Sequence, residues 1–397
     1  MRKRKIEIYD TTLRDGEQAP GNSMSIDMKL KYFEQISSIG VDYIEAGYPT
    51  SNRCDYEVCR IISYERERPT LVVFSRPTLQ DILTSSECIV NKENVQLQLL
   101  LSVSDLHIEK KRKYSLDDAV FETIEGCKLA REYGFTDISL GLEDASRASK
   151  KNLKAIIEAG IEHGANTIVF ADTVGCATPK SVDDSVRYIR SLVGNERKVS
   201  CHFHDDLGLA TANALSAIEA GVDILQTTLL GIGERCGNTA LEQISAITKY
   251  KSENIGAYID INFNRLAEVC FELGEDLNIP LSPNRPIVGK NAFTTAAGIH
   301  INGILKDRSV YEYVHPEDFG RKLSFCFTKH SGYTLIKKIL NDNDVLPSEN
   351  QLKLIYEEAM KRCYKSSSIE PGDFMEIYNE LFGRIQVDVE DYGLVCI

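Results

Sequence analysis

The feature that most constrains this chain is an alternation. Short β-rich runs, each followed by a segment of helical spacing, repeat eight times before about residue 250. The strand candidates are KIEIYD, VDYIEAGY, LVVFSR, VQLQLLLSV, DISLGLE, NTIVFAD, KVSCHFH and ILQTTLL. Between them lie helical stretches such as SIDMKLKYFEQISSIG, SLDDAVFETIEGCKLAREYG, SKKNLKAIIEAGIEHG and ATANALSAIEAG, each closed by the glycine expected just past a helix C-terminus. Eight β-then-α units predict an α/β fold, a closed (β/α)8 TIM barrel over residues 1–255. A doubly wound open sheet is the alternative, but eight regular units in this length fit closure better.

After residue 255 the alternation stops. NIPLSPNRPIVGKNAFTTAAGIHINGILKD is rich in Pro, Gly and Asn, so residues 256–330 read as a linker or arm. Helical patterns return in YTLIKKIL and NQLKLIYEEAMKRCY, and a small helical subdomain is expected over residues 331–397.

Composition narrows the function classes. A hydrophobic content of 43% over 397 residues fills the core of one large domain and a smaller one. The net charge of −13, with no basic stretch interleaved with aromatics, argues against a nucleic-acid surface. There is no apolar run of about 18 residues, and MRKRKIEIYD lacks a signal-peptide core. No membrane association is expected, and the expected location is the cytoplasm. The eleven cysteines, odd in number and without a Cys-x-x-Cys pair, read as reduced thiols, mostly in the core.

In a barrel of this kind the chemistry sits where the strands end. Those positions hold Arg14 and Asp15, Glu45, Arg76, Asp105 with His107, Glu143 and Asp144, Asp172 and Thr173, His202 and His204, and Glu234 with Arg235. Any one of these is ordinarily a solvated loop residue. Together they describe a charged cup that a binding-only scaffold does not need, although the electrostatics of a barrel mouth account for some members.

Within the cup, SCHFHDD stands out, because the chain has only seven histidines. Side chains at i and i+2 of a strand share a face, so His202 and His204 project together and Phe203 faces away. A same-face imidazole pair at the C-terminal end of a barrel strand reads as a pair of metal ligands rather than as core or surface histidines. Asp15, at the end of the first strand, becomes their neighbour only if the barrel closes. One carboxylate and two histidines leave positions open for water or a chelating substrate, as in a Lewis-acid catalyst. Asn238 either adds an oxygen contact or caps the following helix. In GIGERCGN the glycines permit close approach of a ligand to the backbone, and simple turn chemistry explains them about as well.

DTTLRDGEQAPG, HFHDDLGLATANA and GIGERCGNTALE resemble the signature segments of a family of acyl-CoA-dependent, metal-requiring barrels. That family contains 2-isopropylmalate, homocitrate and citramalate synthases and the related hydroxymethylglutaryl-CoA lyases. The resemblance continues through VGKNAFTTAAGIHINGILKD and YEYVHPEDFG and spans about residues 4 to 335. It implies that Arg14 polarises the keto oxygen of a 2-oxo acid and that Asp15, His202 and His204 hold a divalent metal, with Mg, Mn, Zn and Co all open. It further implies that Glu143 acts on a catalytic water or proton relay, that Thr173 holds the substrate carboxylate, and that Gly231 and Gly233 lie near the acyl-CoA. His300 and Tyr311 match residues that this family supplies from beyond the barrel, reaching in from a partner subunit. The implied reaction joins acetyl-CoA to a 2-oxo acid and hydrolyses the thioester. His300, helped by Glu143, is the candidate base, and Tyr311 the candidate proton donor.

SDLHIEKKRKYS and EDASRAS resemble 2-isopropylmalate synthases, with 2-oxoisovalerate as acceptor. HFH and LLGIGER look more like homocitrate synthases, and Leu230 stands where isopropylmalate synthases usually have Asn. His107 lies where the distal group of the 2-oxo acid would be sensed, or is a solvated loop histidine. In 397 residues no leucine-regulatory domain of the kind carried by feedback-controlled members of that family is expected. A homodimer with exchanged arms is expected, because the arm after residue 280 has little apparent core. A lyase would need a cysteine in the glycine-rich loop where GER stands. A binding protein with a decayed site would not keep every polar position intact.

Overall fold

The β-rich runs become eight parallel strands, each buried along most of its length, as strands covered on both faces are. They are β1 (Glu7–Asp10), β2 (Tyr43–Gly47), β3 (Thr70–Ser75), β4 (Val95–Ser102), β5 (Asp137–Glu143), β6 (Thr167–Asp172), β7 (Lys198–Phe203) and β8 (Ile224–Thr227). Each pairs with the next, and β8 returns to β1 from Glu7↔Ile224 to Asp10↔Thr227, which closes the barrel. The structure, a computed structural model, describes residues 3–366 and 368–383.

Eight helices follow the strands: α1 (Ile26–Ile39), α2 (Arg53–Ile62), α3 (Leu79–Cys88), α4 (Leu116–Glu132), α5 (Lys150–Glu162), α6 (Pro179–Val193), α7 (Ala210–Ala220) and α8 (Leu241–Ile255). Their starts are written locally. Ser25, Asn52, Thr78, Ser115, Ser149 and Thr178 each accept an N–H of the first helical turn, which satisfies a donor that would otherwise be orphaned. No helix among the described residues is long and apolar enough to cross a membrane, and none of their cysteines forms a disulfide.

The chain divides into two compact units, 1–280 and 281–397. The first runs past the expected limit at residue 255 because a ninth helix, α9 (Phe263–Asp276), packs on α1. There Asp276 accepts hydrogen bonds from Lys31 and Tyr32, and Glu272 from Gln35. The second unit corrects a further expectation. Its Pro- and Gly-rich stretch is not only linker: it forms α10 (Gly298–Lys306) and pairs Thr294–Thr295 with Ser324–Phe325. Ile301 of α10 is buried with Phe327, Leu335, Ile336, Ile355 and Phe374, so this unit has a core of its own, and a missing core is no argument for a dimer. Three helices complete it: α11 (Tyr333–Asp342), α12 (Glu349–Ser366) and α13 (Asp373–Phe382). The rest of the expected helical subdomain, 384–397, lies outside the described residues.

Candidate active site

The histidine pair sits where β7 runs out. His202 is in the strand and His204 just past it, while Phe203 points the other way and packs on Phe170 with ring centroids 6.1 Å apart. Backbone bonds lay the following glycine-rich loop across this strand end: Asp205 N–H donates to Gly237 O at 2.9 Å, and Thr239 N–H to Phe203 O at 3.2 Å. That crossing sets Asn238 opposite His204. Asn238 is therefore not a helix cap, since α8 begins only at Leu241. Its Nδ2 donates to Asp15 Oδ2 at 2.7 Å and to Ile232 O at 3.2 Å. Gly233 makes room for this side chain, because a Cβ there would fall 2.2 Å from Asn238 Nδ2. Gly231 accepts the Asn238 N–H through its carbonyl at 2.9 Å.

Asp15 arrives from across the barrel. The turn after β1 folds on Thr11, whose carbonyl accepts the N–H groups of Arg14, Asp15 and Gly16. Asp15 Oδ2 then lies 3.3 Å from His202 Nε2 and 3.8 Å from His204 Nε2, and the two Nε2 atoms are 3.2 Å apart. Asp15, His202 and His204 each offer a ligand atom within 4.8 Å of the others, and all are buried. Asn238 Oδ1 and His204 Nδ1 are buried without a hydrogen-bond partner. A carboxylate, two converging imidazole nitrogens and an unsatisfied amide oxygen fit a divalent cation of the N/O-preferring class.

The electrostatics agree with that fit. Burial alone would raise the Asp15 carboxyl, but the Arg14 guanidinium and the two imidazoles hold it far below the usual carboxylate range. Burial, reinforced by His202, lowers His204 to about 4, against the opposing pull of Asp15. A neutral imidazole is the form that ligates.

Arg14 is fixed from below. Its Nε donates to Glu45 Oε2 at 2.7 Å, its guanidinium lies 4.7 Å from the Phe74 ring centroid, and its Nη1 is 3.3 Å from Asp15 Oδ1. Glu45 is fully buried in the middle of β2, where it accepts from Thr11 and from Gln98 Nε2, and Gln98 in turn accepts from Gln226. Sequence reading placed Glu45 in the charged cup without a task. The glutamines inside VQLQLLL and ILQT, polar residues in apolar strands, were the available signal for this network.

A second group forms at the ends of β4 and β5. His107 Nδ1 lies 3.2 Å from Glu143 Oε2 and Nε2 3.6 Å from Asp144 Oδ2, so its side chain, 16% exposed, is not a solvated loop histidine. Glu143 also accepts from Lys111 at 2.6 Å and from Ser102 at 2.9 Å. Burial would raise its carboxyl, but Lys111, His107 and Ser102 bring it below its ordinary value. Thr173 Oγ1 accepts the Asp144 N–H at 2.8 Å. His300 and Tyr311 form a third group, on the second unit, with ring centroids 4.3 Å apart. Gly303 allows that pairing, since a Cβ there would lie 2.6 Å from the Tyr311 ring. A cavity of about 470 Å³ beside Tyr43, Asp137 and Lys198 lies at the opposite, strand N-terminal end of the barrel and gathers none of these residues.

Comparison with known proteins agrees with this architecture. The HMGL-like family model matches residues 5–270, and the homocitrate synthase post-HMGL domain-like model matches residues 287–366. The chain is 36% identical over 378 residues to 2-isopropylmalate synthase of Xylella fastidiosa (strain M23), covering 94% of this chain and 73% of that protein. It is 37% identical over 378 residues to 2-isopropylmalate synthase of Xanthomonas campestris pv. campestris (strain B100), covering 94% and 72%. Among solved structures, the HMG-CoA lyase from Brucella melitensis matches with a TM-score of 0.59 at 16% identity, over 69% of this chain and 99% of that one. Hydroxymethylglutaryl-CoA lyase from Pseudomonas aeruginosa gives 0.59 at 18% identity, over 70% and 96%. These two likenesses speak for the fold alone.

Proposed function

The chain belongs to the HMGL-like family, and on that premise we propose that its barrel mouth condenses acetyl-CoA with a 2-oxo acid, 2-oxoisovalerate first among them, to give 2-isopropylmalate. The observation that carries this reading is the convergence of Asp15, His202, His204 and Asn238 at the strand C-termini of a chain whose relatives are 2-isopropylmalate synthases. A divalent cation held there, as Mg, Mn, Zn or Co, would supply Lewis acidity toward the keto and carboxylate oxygens of the acceptor.

The side chains supply the rest. Arg14, charged and held by Glu45, offers N–H donors where negative charge grows on the keto oxygen. Thr173 holds the acceptor carboxylate, and His107 senses its distal end. His300 takes a proton from the acetyl methyl, helped by Glu143 in a proton relay, and the carbanion attacks the keto carbon. Tyr311 donates a proton to the resulting alkoxide. Water then cleaves the thioester and releases the CoA thiol, which draws the sequence forward. Gly231 and Gly233 flank the acyl-CoA. His300 and Tyr311 reach the barrel from a second copy of the chain, in a cytoplasmic homodimer with exchanged arms.

One observation favours a second acceptor. His107 and Lys111 both lie against Glu143, and a distal carboxylate such as that of 2-oxoglutarate would find the Lys111 ammonium and the His107 ring there. Mass-spectrometric product identification separates the readings, using metal-loaded protein, acetyl-CoA and 2-oxoisovalerate, 2-oxoglutarate, pyruvate or oxaloacetate in turn. 2-Isopropylmalate as the dominant product is expected. Homocitrate in its place would move the assignment, and no product with any acceptor would sink it.

A further inference from the structure

Lys29 stands in the apolar stripe of α1, in line with Tyr32, Phe33 and Ile36, and is fully buried. Its ammonium is ion-paired on one side with Glu17 and on the other with Asp55. Burial alone would lower the ammonium, but the two carboxylates raise it above its ordinary value, so it stays charged. A buried ionic trio costs more desolvation than a methionine or leucine filling the same stripe, so packing alone does not account for it.

What the trio does is join two loops. Glu17 lies two residues after Asp15, and its second oxygen accepts the Met24 N–H at 2.9 Å, so it ties the middle of the segment between β1 and α1 to the stretch just before α1. Asp55, on α2, accepts the Tyr48 N–H at 2.7 Å just past the end of β2. Gly47 gives Asp55 its place, since a Cβ there would sit 2.8 Å from the Asp55 Cγ. The strand ending at Gly47 also carries Glu45, which holds Arg14. The turn bearing Arg14 and Asp15 is thus tied to its neighbour twice, by Glu45 on one side and by Lys29 through Glu17 on the other.

We propose that Lys29 and Glu17 are positioning residues that set the Arg14–Asp15 turn so that Asp15 meets His202 and His204 in ligating register. This deepens the proposed function, since it rests on Asp15 being a metal ligand. Glu17→Gln is the informative variant, because it leaves Lys29 in a neutral pair with Asp55 and keeps an acceptor for the Met24 N–H. Cobalt(II) titration without substrate should show binding about tenfold weaker than wild type, in the range found for groups that orient metal ligands. The melting temperature should stay within a few degrees of wild type. KM for the 2-oxo acid should rise while KM for acetyl-CoA holds. Lys29→Met leaves the buried Asp55 and the partly buried Glu17 carboxylates without a cation and is expected to melt earlier, so the double variant Lys29→Met/Glu17→Gln completes the cycle. Its loss of cobalt affinity should fall well short of the sum of the two single losses. Unchanged cobalt affinity in Glu17→Gln overturns the proposal, and so do additive losses or a wild-type protein that binds no cobalt. Because the cobalt titrations involve no turnover, their results stand apart from any failure of the condensation reading.

Discussion

The barrel mouth and the second unit present their candidate chemistry in opposite ways. Asp15, His202, His204 and Asn238 are each at most 7% exposed, and strand pairing and a loop laid across β7 hold them in place. His300 and Tyr311 are exposed, one on the nine-residue helix α10 and the other in the turn after it. A cation tolerates ligand errors of only a few tenths of an ångström, so its ligands belong on rigid elements. A proton-transfer pair can stay open to solvent until substrate is bound. On the proposed function the difference is a division of labour, with binding and polarisation assigned to the barrel and proton transfer to the second unit.

That division can be broken by mutation. The largest effect is expected from Asp15→Ala, which should abolish metal binding and cut condensation by at least about 10³-fold, measured by titration and by CoA release. His300→Ala should lower kcat by about 10²- to 10⁴-fold and leave metal affinity at the wild-type value. The assignment of His300 as base fails if exchange of the acetyl-CoA methyl protons into deuterated water continues at the wild-type rate. Asn238→Ala should weaken metal binding by about 10- to 100-fold while His300-dependent exchange remains measurable at saturating metal. The smallest effect is expected from His107→Leu, which should raise KM for the 2-oxo acid by about tenfold or more and leave KM for acetyl-CoA alone. A change in metal affinity instead would place His107 in the metal group.

Much of this was legible in the sequence because periodicity is local. DISLGLE became β5 from Asp137 to Glu143 without adjustment, and the same-face argument for His202 and His204 needed only the strand period. Closure of the barrel then brought Asp15 to them. What could not be read depends on contacts far apart along the chain. The link from Glu45 to Arg14 joins the middle of β2 to the turn after β1, and Lys29 shows in sequence only as a charge interrupting an apolar stripe. The core of the second unit joins Ile301 to Phe374, residues that no helical or strand period relates. Leu230 stands where the resemblance leads one to expect asparagine, and the backbone there gives a physical reason for that preference. Its φ of 57° is left-handed, a conformation that asparagine adopts more readily than leucine.

CoA thiol release with 2-oxoisovalerate, by protein stripped with a chelator and then reloaded with magnesium or manganese, tests the central claim most directly. The account predicts no release from stripped protein, restoration by the metal, and none when the 2-oxo acid is omitted. Release by stripped protein at the reloaded rate would contradict a metal-dependent condensation at Asp15, His202 and His204.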